Sequence, residues 1–139
     1  MRNHILVIDG QGGQLGSQII KALLARFADV QITAVGTNAV ATSSMMKAGA
    51  AKAATGENPV IVACRKADII IGPVGIVIAD SLMGEITPAM AVAVGQADAA
   101  RVLIPMNKCE NMVAGISNLS TSVLIQDAVE KVGKVLQTR

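Results

Sequence analysis

The 139-residue chain has no tryptophan and no tyrosine, and Phe27 is its one aromatic residue. A platform of rings for stacking nucleic-acid bases is therefore excluded. So is a phenolic acid or base. The single histidine, His4, excludes a histidine-rich metal site and leaves no Ser-His-Asp triad except through that residue. Charge is scarce at 16% of residues, with 12 basic and 10 acidic groups giving a net +2 and no basic run. That composition offers no electrostatic footprint for DNA or RNA. Long hydrophobic runs are also missing. The longest, residues 69–79, is interrupted by Gly72, Pro73 and Gly75, whereas a membrane-spanning helix needs about 20 apolar residues. The apolar stretch near the start is cut by Asp9 and a glycine cluster and lacks a signal-peptide pattern. Cys64 and Cys109 show no metal-ligand spacing and read as free thiols. These features predict a soluble cytoplasmic protein with no metal, no nucleic-acid partner and no membrane partner.

What the chain does have is apolar content, 52% of residues, arranged in alternating short runs. Residues 5–8 are a β-branched run that reads as a buried strand. A glycine loop follows. Leu15, Ile19, Ile20, Leu23, Leu24 and Phe27 then recur at helical spacing. Residues 30–35 read as a second strand. Asn38 caps a second helix ending near Lys47, with Gly49 just past it. Residues 52–54 read as a third strand, and Asn58-Pro59 as a helix start running to Lys66. Residues 69–71 read as a fourth strand. Beyond it, 76–83 reads as a short helix stopped by Gly84. Thr87-Pro88 opens another helix to Gly95. Residues 102–104 and 112–116 read as fifth and sixth strands. Ser120 caps a final amphipathic helix. Strands alternating with helices imply right-handed βαβ units. The expected fold is one Rossmann-like three-layer α/β/α domain over residues 1–139, with a mostly parallel sheet.

The loop Gly10-Gln11-Gly12-Gly13-Gln14-Leu15-Gly16 lies between a strand and a helix. It fits G-x-x-G-x-x-G rather than the stricter dinucleotide fingerprint. Its physics is the same: glycines allow a tight turn, close approach to a phosphate, and close packing of helix on strand. Amides at the helix start favour an anion. Asp9, Thr37-Asn38, residues 55–58, Gly72-Pro73 and residues 107–109 all follow strands, so they share the C-terminal edge where such sheets bind ligands. His4 lies at the opposite edge.

Residues 5–75 resemble the nucleotide-binding half of atypical short-chain dehydrogenase-like Rossmann proteins. The likeness is carried by the glycine loop, the polar turn after the second strand, Thr55-Gly56-Glu57-Asn58, and Gly72-Pro73-Val74-Gly75. It implies a nucleotide ligand, NAD(P) or another, contacted by Gly10, Gly12, Gly13, Gln14, Gly16, Thr37, Asn38, Gly56, Glu57, Asn58, Gly72, Pro73 and Gly75. The family's redox chemistry does not carry over. The second strand ends in Gly36-Thr37-Asn38 without the acid that holds a ribose hydroxyl, and the family's tyrosine is absent. A second resemblance covers nearly the whole chain. Ile8-Asp9-Gly10-Gln11-Gly12-Gly13, the stretch from Gly36 to Ser43, Ala54-Thr55-Gly56-Glu57-Asn58, Ile70-Ile71-Gly72-Pro73, Met83-Gly84-Glu85-Ile86-Thr87-Pro88 and Ile104-Pro105-Met106-Asn107 resemble a family of short bacterial proteins, a domain of unknown function.

The leading reading is nucleotide or dinucleotide binding at the glycine loop. A second is an enzyme acting on a small phosphorylated or polar metabolite, using Asp9, Asn107 and Cys109 at a subunit-completed site. A third is a regulatory or scaffold oligomer whose glycine loop is only a turn. Asp9 would repel a polyphosphate. It either accepts loop amides and fixes the turn, or helps hold Mg²⁺. Lys108 and Arg65 are candidate anion partners. Asp80 and Glu85 read as caps or surface charges, or else as a carboxylate pair. So apolar a chain is expected to form a homo-oligomer, a dimer or tetramer, through residues 75–95. Gly12 and Gly13 are both expected to govern ligand binding more than folding.

Overall fold

The computed structural model describes residues 3–106 and 111–138. Five strands form one sheet in the order β3-β2-β1-β4-β5. They are β1 (His4–Asp9), β2 (Gln31–Gly36), β3 (Lys52–Thr55), β4 (Ile69–Pro73) and β5 (Ala100–Ile104). All four pairings are parallel. β1 therefore sits in the centre, and the strand order reverses between β1 and β4. That reversal opens a crevice at the carboxyl ends of the two strands. The fold is the expected Rossmann-like α/β/α arrangement.

Side-chain alternation along β1 explains the three layers. Ile5 and Val7 face one core, Leu6 and Ile8 the other. The first core is covered by α1 (Gln14–Arg26), α2 (Ala39–Ala48) and α5 (Thr121–Thr138). The apolar stripe of α5, including Ile125, Ala128, Val129 and Val132, is buried there. The second core is covered by α3 (Glu57–Lys66) and α4 (Pro88–Gln96), with Ile76, Leu82 and Ile86 from the connection between β4 and α4. β1 and β4 are buried on both faces, which is why residues 5–8 and 69–71 read as unbroken apolar runs rich in β-branched residues.

The capping signals act as expected. The Asn38 side chain accepts from the Ala41 amide at 2.9 Å, and Thr87 caps α4 one residue before Pro88. Three expectations change. The start of α3 is one residue earlier than Asn58, with Gly56 as its cap at φ 109. Residues 76–83 are not a helix: a short 3-10 turn (Val74–Val77) gives way to tight turns in which Asp80, Leu82 and Met83 all have positive φ. Bonds within the segment hold this shape, among them the Asp80 amide on the Ile86 carbonyl at 2.7 Å and the Ser81 hydroxyl on the Gly75 carbonyl. Residues 112–116 form no strand. They are exposed and pair with no sheet edge.

Candidate functional site

Asp9 ends β1 and is buried, 3% exposed. One carboxylate oxygen accepts the Gly10 amide at 2.8 Å, the other the Gly16 amide at 2.7 Å. The carboxylate thus closes the glycine loop from beneath. Burial pushes its pKa up, the two amides pull it down, and the charge of Glu85 pushes it up again; the net direction is upward. With both oxygens engaged by loop amides, Asp9 fixes the turn.

The loop itself turns through the Gly13 amide on the Gly10 carbonyl at 2.9 Å. Gln11 sits in the left-handed region at φ 51, which costs about 1–2 kcal/mol for a residue with a Cβ. Its peptide is clamped from both sides. The Gln11 amide donates to Glu85 Oε1 at 2.8 Å, and its carbonyl accepts from Asn38 Nδ2 at 3.0 Å. Glu85 Oε1 also accepts the Thr37 hydroxyl and Asn38 Nδ2. Burial alone would raise the Glu85 pKa. The Gln11 amide and the Thr37 and Asn38 side chains outweigh it and hold the carboxyl below its ordinary value. Glu85 is neither a surface charge nor half of a carboxylate pair. It is the bolt between the glycine loop and the turn after β2.

Glycines that look alike in sequence differ here. A Cβ on Gly10 would lie 2.6 Å from Glu85 Oε1 and 3.0 Å from Leu82 Cδ1, so that side of the loop is covered by the chain itself. Gly13 has φ 74, and a Cβ there would meet the Ala41 backbone at 2.7 Å. A Cβ on Gly16 would meet Met45 Sδ at 2.6 Å. These two are packing and turn glycines, which corrects the expectation that Gly13 serves binding more than folding. Gly12 is the open one: its nearest neighbour to a Cβ is Gln14 Cγ at 4.0 Å. The Gly12 carbonyl is tied to the Ser44 hydroxyl at 3.1 Å. Among the described residues, the amides of Gly12, Gln14 and Leu15 meet no acceptor.

A cleft of about 360 Å³ lies on this side of the loop, lined by residues 9–15 with Gln18, Met106 and Thr121. Of the expected contacts it brings together Gly10, Gly12, Gly13 and Gln14. Gln18 escaped the sequence reading, although its spacing from Gln14 places both on one face of α1. Thr121 and Met106 could not be anticipated, because α5 and β5 reach the loop only through the fold. The other expected contacts lie elsewhere. Thr37 and Asn38 are engaged by Glu85. Gly56 caps α3, Glu57 accepts the Thr87 hydroxyl at 2.5 Å, and Asn58 lines a different groove. Gly72 lets β4 pass close to β1: a Cβ would lie 2.4 Å from the Ile8 carbonyl oxygen. Pro73 and Gly75 are buried beneath the covering segment. Arg65 is exposed in the last turn of α3, at the sheet edge away from the loop. Asn107, Lys108 and Cys109 lie outside the described residues. Residues 75–95 are not an open apolar surface. Ile76, Leu82, Ile86, Met90 and Val94 fill the second core, leaving Met83 and Val92 exposed.

Among the described residues, no helix is long and apolar enough to cross a membrane. No curated protein matches the chain. A solved structure titled a dodecameric FMN-dependent Ubix-like decarboxylase, from Escherichia coli O157:H7, is similar across 99% of this chain and 93% of that one, at 16% identity and a TM-score of 0.43. The family model described as a domain of unknown function, DUF3842, matches residues 4–137, and the chain belongs to that family.

Proposed function

We propose that this protein binds the phosphate of a small nucleotide-type ligand at the amides of Gly12, Gln14 and Leu15. One observation carries the reading. Every other backbone amide from Gly10 to Gly16 is engaged, while these three, at and just before the start of α1, stay free beside an open cleft. A helix start with unspent amides favours an anion through both hydrogen bonding and the helix dipole.

Size and charge narrow the ligand. Leu82 and Glu85 cover Gly10, and Glu85 occupies the turn after β2. That turn is where the ribose of a dinucleotide would be held. The space left, about 360 Å³, is near the lower end of small-molecule sites. Asp9 beneath the loop opposes accumulated negative charge. These features favour a phosphate monoester of mononucleotide size over NAD(P) or a polyphosphate. Homo-oligomer formation belongs to the same proposal. Its contact is placed on Met112, Val113, Ile116, Leu119 and Val123, which are exposed in the stretch around Thr121, a residue that lines the cleft.

A thermal-shift screen tests the binding. Mononucleotides should raise the melting temperature of the wild type and leave Gly12→Val unmoved, while NAD(P) has the weaker effect. With no tryptophan or tyrosine in the chain, strong ultraviolet absorbance of the purified protein would report a retained nucleotide directly. A wild-type melting curve unmoved by every nucleotide would refute the proposal.

A further inference from the structure

The sheet is covered unequally. Three helices lie on one face and two on the other. On the two-helix face, residues of β1, β2, β3 and α3 border a groove of about 640 Å³. Its floor includes Val35 and its register partner Ala54, and Thr33, whose partner is Lys52. Its wall is one stripe of α3 at helical spacing, Pro59, Val62 and Ala63, ending at Lys66. The groove shares no lining residue with the cleft at the glycine loop.

Its charge is one-sided. α3 runs antiparallel to the strands, so Lys66 at its end meets Lys52 at the start of β3 and His4 at the start of β1. No aspartate or glutamate lines the groove. Asp68, which follows α3, accepts the His4 amide at 2.9 Å. From Lys66 back to Asn58 the helix rises about 12 Å, all of it along apolar wall.

We propose that this groove binds an aliphatic carboxylate of medium chain length, with its tail along α3 and its head among Lys52, Lys66 and His4. An apolar trough removes the tail from water, and lysine stems line such a trough while their ammonium groups meet the head. In a contact with a second copy the groove offers no acid to pair with its lysines, and sedimentation distinguishes that occupant. The proposal is independent of nucleotide binding at the loop.

The test is calorimetric titration of the full chain with decanoate, with decanol as the uncharged control. Decanoate should bind more tightly than decanol, and salt should weaken it. Lys52→Glu and Lys66→Glu should each weaken binding about tenfold. Both lysines are exposed, so these variants keep the fold. Ala63→Phe should abolish binding by filling the trough, with the circular dichroism spectrum unchanged. Gly12→Val should leave decanoate affinity intact. No decanoate binding, or equal affinity for decanol and in both lysine variants, would overturn the proposal. So would sedimentation in which Ala63→Phe or Lys66→Glu breaks up an oligomer, since the groove would then belong to a second copy.

Discussion

Replacing Glu85 by alanine tests the closed half of the loop. The change strips one acceptor from three donors: the Gln11 amide, the Thr37 hydroxyl and Asn38 Nδ2. Each such bond contributes about 0.5–1.5 kcal/mol net. Partial rehydration of the freed donors keeps the sum of the three in its lower half, so we expect a loss of about 1.5–3 kcal/mol. For a chain of this size that lowers the melting temperature by about 5–10 °C. Asn38 still caps α2 through its side-chain oxygen, so the helix stays and the loss reports the bolt itself. Asp127→Ala is the control. It breaks an exposed i,i+4 pair with Lys131 and should cost under about 0.5 kcal/mol. pH gives an independent sign. The Glu85 pKa is lowered on folding, so its contribution is present above the ordinary value of 4.5 and is lost as pH falls through the folded value. The gap between wild type and Glu85→Ala should therefore narrow in acid. Asp9, whose pKa is raised from 3.8, acts in the opposite sense: its contribution falls as pH rises through that window. Taking the difference between the two proteins removes most of it. Differential scanning calorimetry from neutral pH downward is the assay. A Glu85→Ala protein melting within a degree of the wild type at neutral pH would refute the reasoning.

The remaining predictions concern the glycines and the thiol. Gly13→Ala should cost at least about 2 kcal/mol, because a left-handed backbone and contact with the Ala41 backbone add; Gly12→Ala should stay within about 0.5 kcal/mol of wild type in urea unfolding. Gly72→Ala should be among the most destabilising single changes, at about 3 kcal/mol or more, since β1 and β4 would have to part to admit its Cβ; a soluble variant with unchanged urea midpoint would contradict this. Burial pushes the Cys64 thiol up to about 11, so in a Cys109→Ser background a thiol reagent at neutral pH should stay silent until denaturant is added.

The alternation of strands and helices was legible because β1 and β4 are buried on both faces and read as continuous apolar runs. Local chemistry also placed the caps: Asn38 and Thr87 act within their own turns. The stretch after β4 misled for a physical reason. Ile76, Leu82 and Ile86 are core residues with no helical period, and the left-handed backbone at Asp80, Leu82 and Met83 belongs to a network of turns, closed by the Asp80 amide on the Ile86 carbonyl and the Glu85 amide on the Leu82 carbonyl, that no side-chain pattern announces. Residues 112–116 carry strand-forming side chains, but a strand needs a neighbour, and none lies beside them. In the site, the glycine loop was visible as a motif. Glu85 was not, because its partners lie 47 to 74 residues away in sequence. Nor could spacing separate Gly12 from Gly13, since the difference is the Ala41 backbone lying against one and open space beside the other.

Titration of isotope-labelled protein with a nucleoside monophosphate, followed by amide nuclear magnetic resonance, tests phosphate binding most directly. The Gly12, Gln14 and Leu15 amide signals should move together and saturably, ahead of those of Gly10 and Gly16, which are already held by Asp9. Saturable shifts confined to another part of the molecule, or no shifts at millimolar ligand, would contradict it.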